Sequence, residues 1–184
     1  MLNYKQREIV YMLNIASLAG VTAISLAAIV LQFLLNELPC PLCLLQRAGI
    51  LAIGIGYMMN LMLGCKSRYI SLSTFAAIFT MFFAIRQVLL HITPDSTGYG
   101  DVILGAHMYS WVVIVSSTIV LWNCLINLYL EDNYRRPHNK GLLSISRITM
   151  VVFILTIAIN IGLTFMECGF GQCPDNPISY KYSL

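Results

Sequence analysis

The feature that most constrains this chain is a series of five long apolar runs, each close to the roughly 20 residues that a bilayer-spanning helix requires. Of the 184 residues, 58% are hydrophobic and only 10% are charged, whereas soluble domains average about 25% charged residues. Because the backbone finds no water to bond in lipid, such runs should be helices. The sequence therefore predicts one all-α domain over residues 1–184 that forms an integral membrane bundle. The five spans are expected at about residues 10–35, 42–63, 69–91, 104–130 and 147–166.

Lysine and arginine residues are concentrated in alternate connecting segments, which indicates how the bundle is oriented. These segments contain Lys5, Arg7, Lys66, Arg68, Arg135, Arg136, Lys140 and Arg147. The segments on the opposite side carry the acids Glu37, Asp95, Asp101, Glu167 and Asp175. By the positive-inside rule the basic side is cytoplasmic, so the N-terminus is inside and the C-terminus outside. The net charge of +3 reflects this bias, and since the chain has no basic patch with interleaved aromatic residues, we expect no nucleic-acid binding.

The six cysteines are sorted by this topology into two groups. Four of them fall at or beyond the outer ends of the second and fifth spans, namely Cys40, Cys43, Cys168 and Cys173. Disulfides persist in oxidising compartments and are rare in the cytosol, so two close pairs on the outer side predict thiol–disulfide chemistry there. Cys65 in a cytoplasmic turn and Cys124 inside the fourth span are expected to be unpaired, with Cys124 as a small apolar filler.

The first pair has the C-x-x-C spacing of many dithiol redox sites. Pro41 suits the first position of a helix because it has no N–H to leave unpaired. Cys43 would then lie in the first turn, where the helix dipole favours a thiolate, and Arg47 would share its face one turn later. An arginine near hydrocarbon depth indicates function, although it could also anchor the helix at the interface. A structural disulfide or half of a zinc site is the competing interpretation of the cysteines.

The second pair, Cys168 and Cys173, encloses a loop with two glycines that let the chain turn tightly. It belongs to an expected outer tail over residues 167–184. Closing four residues stabilises a chain only slightly, because disulfide stabilisation grows with loop length. An exchangeable pair is therefore favoured over a static clip.

Further polar residues are expected at the outer ends of the third and fourth spans. Arg86, Gln87 and His91 cluster there and could line a pocket for a polar head group beside Arg47, or could anchor the helix at the interface. His107 opens the fourth span, where a histidine could pass a proton to a reduced acceptor.

Several stretches resemble a known family. The run Cys40-Pro41-Leu42-Cys43-Leu44-Leu45-Gln46-Arg47 resembles the C-x-x-C-x-x-x-R signature of the DsbB family. These are inner-membrane thiol–quinone oxidoreductases that reoxidise the periplasmic oxidant DsbA. The stretches Arg86–His91, Gly105–Trp111 and Glu167–Pro177 are similar to a five-span DsbB-like subfamily, so the resemblance covers most of the chain.

The resemblance implies a four-helix DsbB-like core in a bacterial inner membrane, and roles for matching residues. Cys40 and Cys43 would be the pair linked to a quinone (ubiquinone or menaquinone, not covalently bound), with Cys43 nearer its ring, and Arg47 would contact it. The partners would be the membrane quinone pool, the lipid bilayer and a periplasmic DsbA-like protein of the thioredoxin fold.

One departure from the family concerns the second cysteine pair. The best-known members carry it between spans three and four, but here the turn-rich loop Thr93–Gly105 contains no cysteine. Cys168 and Cys173 therefore take the partner-facing role by position and by resemblance to the subfamily ending. A partner would attack their disulfide, and electrons would pass to Cys40 and Cys43 and then to quinone.

Three other interpretations compete with this one. A VKOR-like or reductant-transferring membrane protein would run the chemistry in the opposite direction, but only Cys65 and Cys124 could serve it from the cytosolic side. The four outer cysteines could instead bind zinc. A plain structural bundle is the third. The sequence favours the oxidoreductase, with catalytic Cys40, Cys43, Cys168 and Cys173, and with no metal ion.

Overall fold

The computed structural model describes residues 4–92, 98–128, 139–174 and 179–182, with side chains from Glu8 onward. Within these residues the chain forms five α-helices that are long and apolar enough to cross a membrane, which confirms the predicted helical bundle. The helices are α1 (Tyr4–Leu35), α2 (Pro41–Leu63), α3 (Ser67–Leu90), α4 (Met108–Leu128) and α5 (Lys140–Cys168). Helix α2 packs between α1 and α3, α3 packs against α4, and α5 packs mainly against α1.

The fourth helix begins four residues later than predicted, because a short hairpin precedes it. Strands β1 (Val102–Ile103) and β2 (Ala106–His107) pair antiparallel in the segment that the sequence presents as a plain turn-rich connection. Leu104 and Gly105 between them both have positive φ, the conformation of the two-residue turns that suit the twist of a hairpin. His107 thus lies in β2 just before the helix, rather than in the span itself.

The fifth helix is longer than predicted at both ends. Asn139 caps its start by accepting hydrogen bonds from the backbone N–H groups of Gly141 and Leu142. At the other end the helix includes Glu167 and Cys168, which the sequence placed in a separate tail. The second cysteine pair therefore begins on a regular helix, and only Cys173 lies in the loop beyond it.

Two glycines allow α2 to approach α3 closely. Gly49 faces the side chain of Thr80, and Gly56 faces Ser73 and the backbone oxygen of Tyr69, so that a Cβ at either glycine would collide with α3. Small residues at such positions let two membrane helices come close enough for extensive van der Waals packing. This contact fixes the side of α3 that faces the start of α2, where the first cysteine pair lies.

The two ends of the bundle differ in their chemistry. The turn between α2 and α3 and the start of α5 carry Lys66, Arg68, Lys140 and Arg147, whereas the opposite end carries both cysteine pairs. Four of the charged residues behind the predicted orientation lie outside the described residues, namely Asp95, Arg135, Arg136 and Asp175. The side chains of Lys5 and Arg7 lie outside them as well.

A buried polar network lies at the end of the bundle that carries the basic residues. Asn60 donates from Nδ2 to Asn14 Oδ1 at 2.8 Å and accepts from the backbone N–H of Lys66 at 2.9 Å. Asn14 Nδ2 also lies 3.7 Å from Cys65 Sγ, and Cys65 is fully buried. Cys65 and Cys124 are free thiols, as predicted, but Cys124 is exposed on α4 and does not fill the core.

Burial should make Cys65 unreactive at ordinary pH. It raises the pKa of the Cys65 thiol to about 12, so the reactive thiolate is scarce at pH 8 and gains population only as the pH approaches that value. We expect a neutral maleimide at pH 8 to label Cys124 in detergent and to leave Cys65 unlabelled until the protein unfolds, as peptide mass spectrometry would show. Equal labelling of both thiols in the folded protein would contradict this prediction.

Candidate active site

The first cysteine pair forms the start of α2. Cys40 and Cys43 are joined in a disulfide, with their Cα atoms 5.0 Å apart. Cys40 is the N-cap residue, and its Sγ accepts a hydrogen bond from the backbone N–H of Cys43 at 3.1 Å. Pro41 occupies the first helical position, as predicted. The helix terminus therefore acts on the Cys40 sulfur, rather than on the Cys43 sulfur that the position in the first turn suggested.

The side-chain amide of Gln87 on α3 lies directly against both sulfurs. Its Nε2 is 3.3 Å from Cys40 Sγ and 3.5 Å from Cys43 Sγ. Gln46 Nε2 donates to Gln87 Oε1 at 2.7 Å, which fixes the orientation of the Gln87 amide. Gln87 is only 1% exposed. Because N–H donors favour an anion over a neutral thiol, this arrangement stabilises a thiolate when the disulfide opens.

Arg47 is hydrogen-bonded to α1. Its guanidinium donates to Gln32 Oε1 at 2.5 Å and to the backbone oxygen of Ala28 at 3.0 Å. Gln32 in turn donates from Nε2 to the hydroxyl of Tyr180 at 2.7 Å. Arg47 is therefore held in place by α1, and through Gln32 it is connected to the chain that follows the second cysteine pair.

A cavity of about 240 Å³ lies between α1, α2 and α4, and both Cys43 and Arg47 line it. The polar residues around it are Gln32, Glu37, Cys43, Gln46, Arg47, Tyr99 and Tyr109. Most of the remaining wall is apolar, with Ile24, Leu31, Ile50, Val112 and Val115 among its residues. The cavity could hold a largely apolar molecule whose polar groups accept hydrogen bonds from the amide, guanidinium and phenol groups at the polar end.

The remaining predicted pocket residues lie outside the lining of this cavity. Arg86 is exposed on α3, one residue and about 100° of helix rotation from Gln87, so it faces away from the site. His91 and His107 stack on Tyr109, with ring centroids 5.6 and 5.2 Å apart. Both histidines therefore contact the cavity wall through Tyr109, and His107 also contacts it through the backbone oxygen of Gly100, 3.0 Å from its Nδ1.

The second cysteine pair closes the end of α5. Cys168 and Cys173 form a disulfide with their Cα atoms 4.6 Å apart, and Cys168 is 4% exposed. The chain beyond it returns to the helix, since the backbone N–H of Tyr182 donates to the oxygen of Met166 at 3.0 Å. The Tyr182 ring also stacks on Phe165, with centroids 5.8 Å apart.

A second cavity, of about 650 Å³, lies between the start of α2 and the end of α5. Its walls include Pro41 and Leu44 from the start of α2, Arg47, and Cys173 from the loop after α5. Arg47 therefore borders both cavities. The structure places the two disulfides at the same end of the bundle, and Cys173 of the second pair borders this cavity.

Four residues of this region had no predicted role, and only two of them give a signal in the sequence. Gln32 and Gln46 interrupt apolar runs, and polar residues at such positions are costly and often functional, so that signal was present. Tyr99 and Tyr180 lie in connecting segments and reach the site only through the tertiary fold. Burial, and then the charges of Glu167 and Glu37, raise the pKa of Tyr99, which keeps its phenol protonated as a hydrogen-bond donor.

Comparison with known proteins agrees with the site at the start of α2. A family model described as "DsbB: Disulfide bond formation protein DsbB" matches residues 11–101, about half of the chain. The matched segment contains Cys40, Cys43, Arg47 and Gln87, while the second cysteine pair lies beyond it. No curated protein and no solved structure matches the chain. With its helical membrane architecture and its paired cysteines, the chain belongs to the DsbB family of disulfide bond formation oxidoreductases.

Proposed function

We propose that this protein is a thiol–quinone oxidoreductase of a bacterial inner membrane, with both cysteine pairs on the periplasmic side. It would reoxidise a DsbA-like dithiol protein and pass the electrons to membrane quinone. The observation that carries the proposal is that Cys43 and Arg47 line one cavity at the same end of the bundle as a second disulfide. The basic residues at the opposite end support the orientation under the positive-inside rule.

The residues around the smaller cavity fit a quinone head group. A quinone ring is flat and apolar, with two carbonyl oxygens that accept hydrogen bonds, and it takes up two electrons and two protons. Arg47, Gln46 and Tyr109 provide guanidinium, amide and phenol donors beside the apolar wall. Cys43 is the sulfur of the first pair that lines this space, in agreement with the role that the family resemblance implies.

The direction of electron flow follows from reduction potentials. A DsbA-type dithiol has a potential of about −120 mV, which makes it a strong oxidant. Its reoxidation runs downhill only if the acceptor is more positive, and each 30 mV contributes about 1.4 kcal/mol for two electrons. Membrane quinones lie in the bilayer that surrounds this cavity, which supports them as the acceptor.

The different exposure of Cys168 and Cys173 supports an order of attack at the second pair. Cys173 is half-buried and lies in the loop, whereas Cys168 is buried in the last turn of α5. A thiolate of the partner would therefore attack Cys173 and release Cys168. Exchange between the two pairs would then reduce the Cys40–Cys43 disulfide, with Gln87 Nε2 stabilising the thiolate that forms. Cys43, facing the smaller cavity, would pass the electron pair on.

The relay requires all four cysteines, and this is the experiment that tests the function. A reduced DsbA-like protein is added to the purified protein with a soluble quinone, and loss of quinone absorbance is followed. We expect Cys40→Ser, Cys43→Ser, Cys168→Ser and Cys173→Ser to abolish turnover and Cys124→Ser to preserve it, because Cys124 lies on α4 as a free thiol. A reduced partner that lacks its resolving cysteine should accumulate a mixed disulfide with Cys173 of the wild-type protein, because its thiolate attacks the Cys168–Cys173 disulfide and releases Cys168.

Two outcomes would contradict the relay. Turnover that survives loss of Cys168 and Cys173 would remove the second pair from it. A wild-type protein that is inactive with several quinones and partners, and whose thiols become free on chelation without reductant, would favour the zinc interpretation.

Arg47 should contribute to acceptor binding. We expect Arg47→Met to raise the KM for quinone by about 10- to 100-fold, because a hydrogen bond from a charged group contributes about 1.5–3 kcal/mol and each 1.4 kcal/mol is tenfold. The KM for the partner protein should not change. Arg147→Met, which removes an exposed arginine at the opposite end of the bundle, is the matched control. Equal effects of the two substitutions would place Arg47 outside the acceptor site.

Gln87 should control the reactivity of the first pair in the reduced protein. Gln87→Leu keeps the side-chain bulk but removes the amide donor that faces both sulfurs. A hydrogen bond to a charged group contributes about 1.5 kcal/mol or more, so alkylation of Cys40 and Cys43 at neutral pH should slow about tenfold. Cys168 and Cys173 in the same sample serve as the internal control. Unchanged rates at Cys40 and Cys43 would show that Gln87 only fills space.

A further inference from the structure

One buried charged group remains without a role in this chemistry. Glu167, in the last turn of α5, is 2% exposed, and within the described residues neither of its carboxylate oxygens has a hydrogen-bond partner. An ionised carboxylate removed from water is costly unless it is paired and hydrogen-bonded. Ionisable residues in membrane helices are costly and are by default functional, so the carboxyl group points to a function.

The surroundings of Glu167 connect the two redox sites. Cys168, the first cysteine of the second pair, is the next residue of the chain. The charge of Glu167 acts on Arg47 from α2 and on Tyr99 from the loop before the hairpin, and both residues line the smaller cavity. Two further titratable groups interact electrostatically with these two residues, namely Tyr180 with Arg47 and Glu37 with Tyr99. Glu167 is therefore the chain neighbour of the second disulfide and interacts electrostatically with two residues of the cavity wall.

Hydrogen bonding argues against a simple structural ion pair between Glu167 and Arg47. The guanidinium of Arg47 donates to Gln32 and to the backbone of Ala28 and leaves both Glu167 oxygens without a bond. A structural pair in an apolar environment is held by direct hydrogen bonds, since these offset the cost of desolvation. A carboxyl group that exchanges its proton must instead keep its oxygens free to accept and donate.

We propose that Glu167 carries a proton from the second cysteine pair to the cavity bordered by Arg47 and Tyr99. The inference deepens the proposed function and rests on it: the cavity is where the electrons of the relay arrive. Glu167 is a proton-transfer residue here, and Arg47 is the positive charge that favours its ionised form between transfers.

The proton balance of the reaction gives such a group a task. When a dithiol becomes a disulfide, two S–H bonds break, one S–S bond forms, and two electrons and two protons are released. A quinone that becomes a quinol takes up two electrons and forms two O–H bonds. Disulfide exchange moves the electrons between the pairs, and the protons move separately. Glu167 would accept one proton from the second pair, release it towards the cavity and return to its starting state, while the other proton is exchanged with solvent.

The first test reads the proton on Glu167 directly and uses no quinone. Infrared difference spectra are recorded for the purified full-length protein, with the reduced form, generated by a soluble phosphine, measured against the oxidised form. A protonated carboxyl group has a carbonyl band that an ionised one lacks. We expect this band to change on reduction of wild type, to disappear from the difference spectrum of Glu167→Gln, and to shift in Glu167→Asp. A wild-type spectrum without a carboxyl change, or the same change in Glu167→Gln, would overturn the proposal.

The second test uses turnover and separates this inference from the proposed function. If wild type reduces quinone, Glu167→Gln should lower turnover by about 100-fold, the scale of lost acid–base catalysis, and Glu167→Asp should restore part of it. A proton acceptor must begin ionised, so wild-type activity should fall as the pH drops through its titration, and this acidic limb should be absent in Glu167→Gln. Asp101→Asn, which removes an exposed carboxylate at the same end of the bundle, is the control.

The two tests fail in different ways. A wild-type protein that shows the infrared change but no quinone reduction would overturn the proposed function while the protonation of Glu167 stands. Normal turnover and an unchanged pH profile in Glu167→Gln would overturn the role of Glu167 while leaving the oxidoreductase intact.

Discussion

The close approach of α2 to α3 is the contact on which the active site depends. Gly49 and Gly56 have no Cβ to hold the two helices apart, so the face of α3 that carries Gln87 lies against the start of α2. That geometry places an amide donor at both sulfurs of the first pair, while the cap of α2 supplies a backbone donor to Cys40. A redox pair built this way has its thiolate stabilisation fixed before any substrate arrives, because the donors belong to packed helices rather than to mobile loops.

The sequence could predict the elements of this fold far better than the directions of its side chains. Five apolar runs gave the five helices because burial in lipid depends on length and composition, and the spacing of Cys40 and Cys43 around a proline predicted the start of α2. The hairpin before α4 was missed, since two-residue strands leave no periodic signal.

Arg47 and Arg86 show why the sequence could not predict which side chains line the site. Both were expected near one pocket because both lie at the outer end of a span. The structure turns Arg47 towards Gln32 on α1 and leaves Arg86 exposed, and which of the two faces a cavity depends on neighbours that are distant in sequence. Gln32, 15 residues before Arg47, could not be recognised as its partner from spacing alone.

The location of the second cysteine pair changes how the two redox sites are connected. Here it closes the C-terminal end of a helix that packs mainly against α1, and the gap between α2 and α5 is bordered by Arg47 on one side and Cys173 on the other. A cysteine pair on a helix end has fewer positions to explore than one in a long loop, so the approach of the two sites depends on how α5 moves against α2.

The chain beyond Cys173 has a consequence for the reduced protein. Tyr180 is bonded to Gln32, and Tyr182 is bonded to Met166, so the segment with the second pair is tied to the bundle on both sides. Opening the disulfide therefore releases a short tethered loop rather than a free end. A tether keeps the local concentration of its thiols high, so the proposed exchange between the two pairs would be an intramolecular encounter whose rate does not depend on protein concentration.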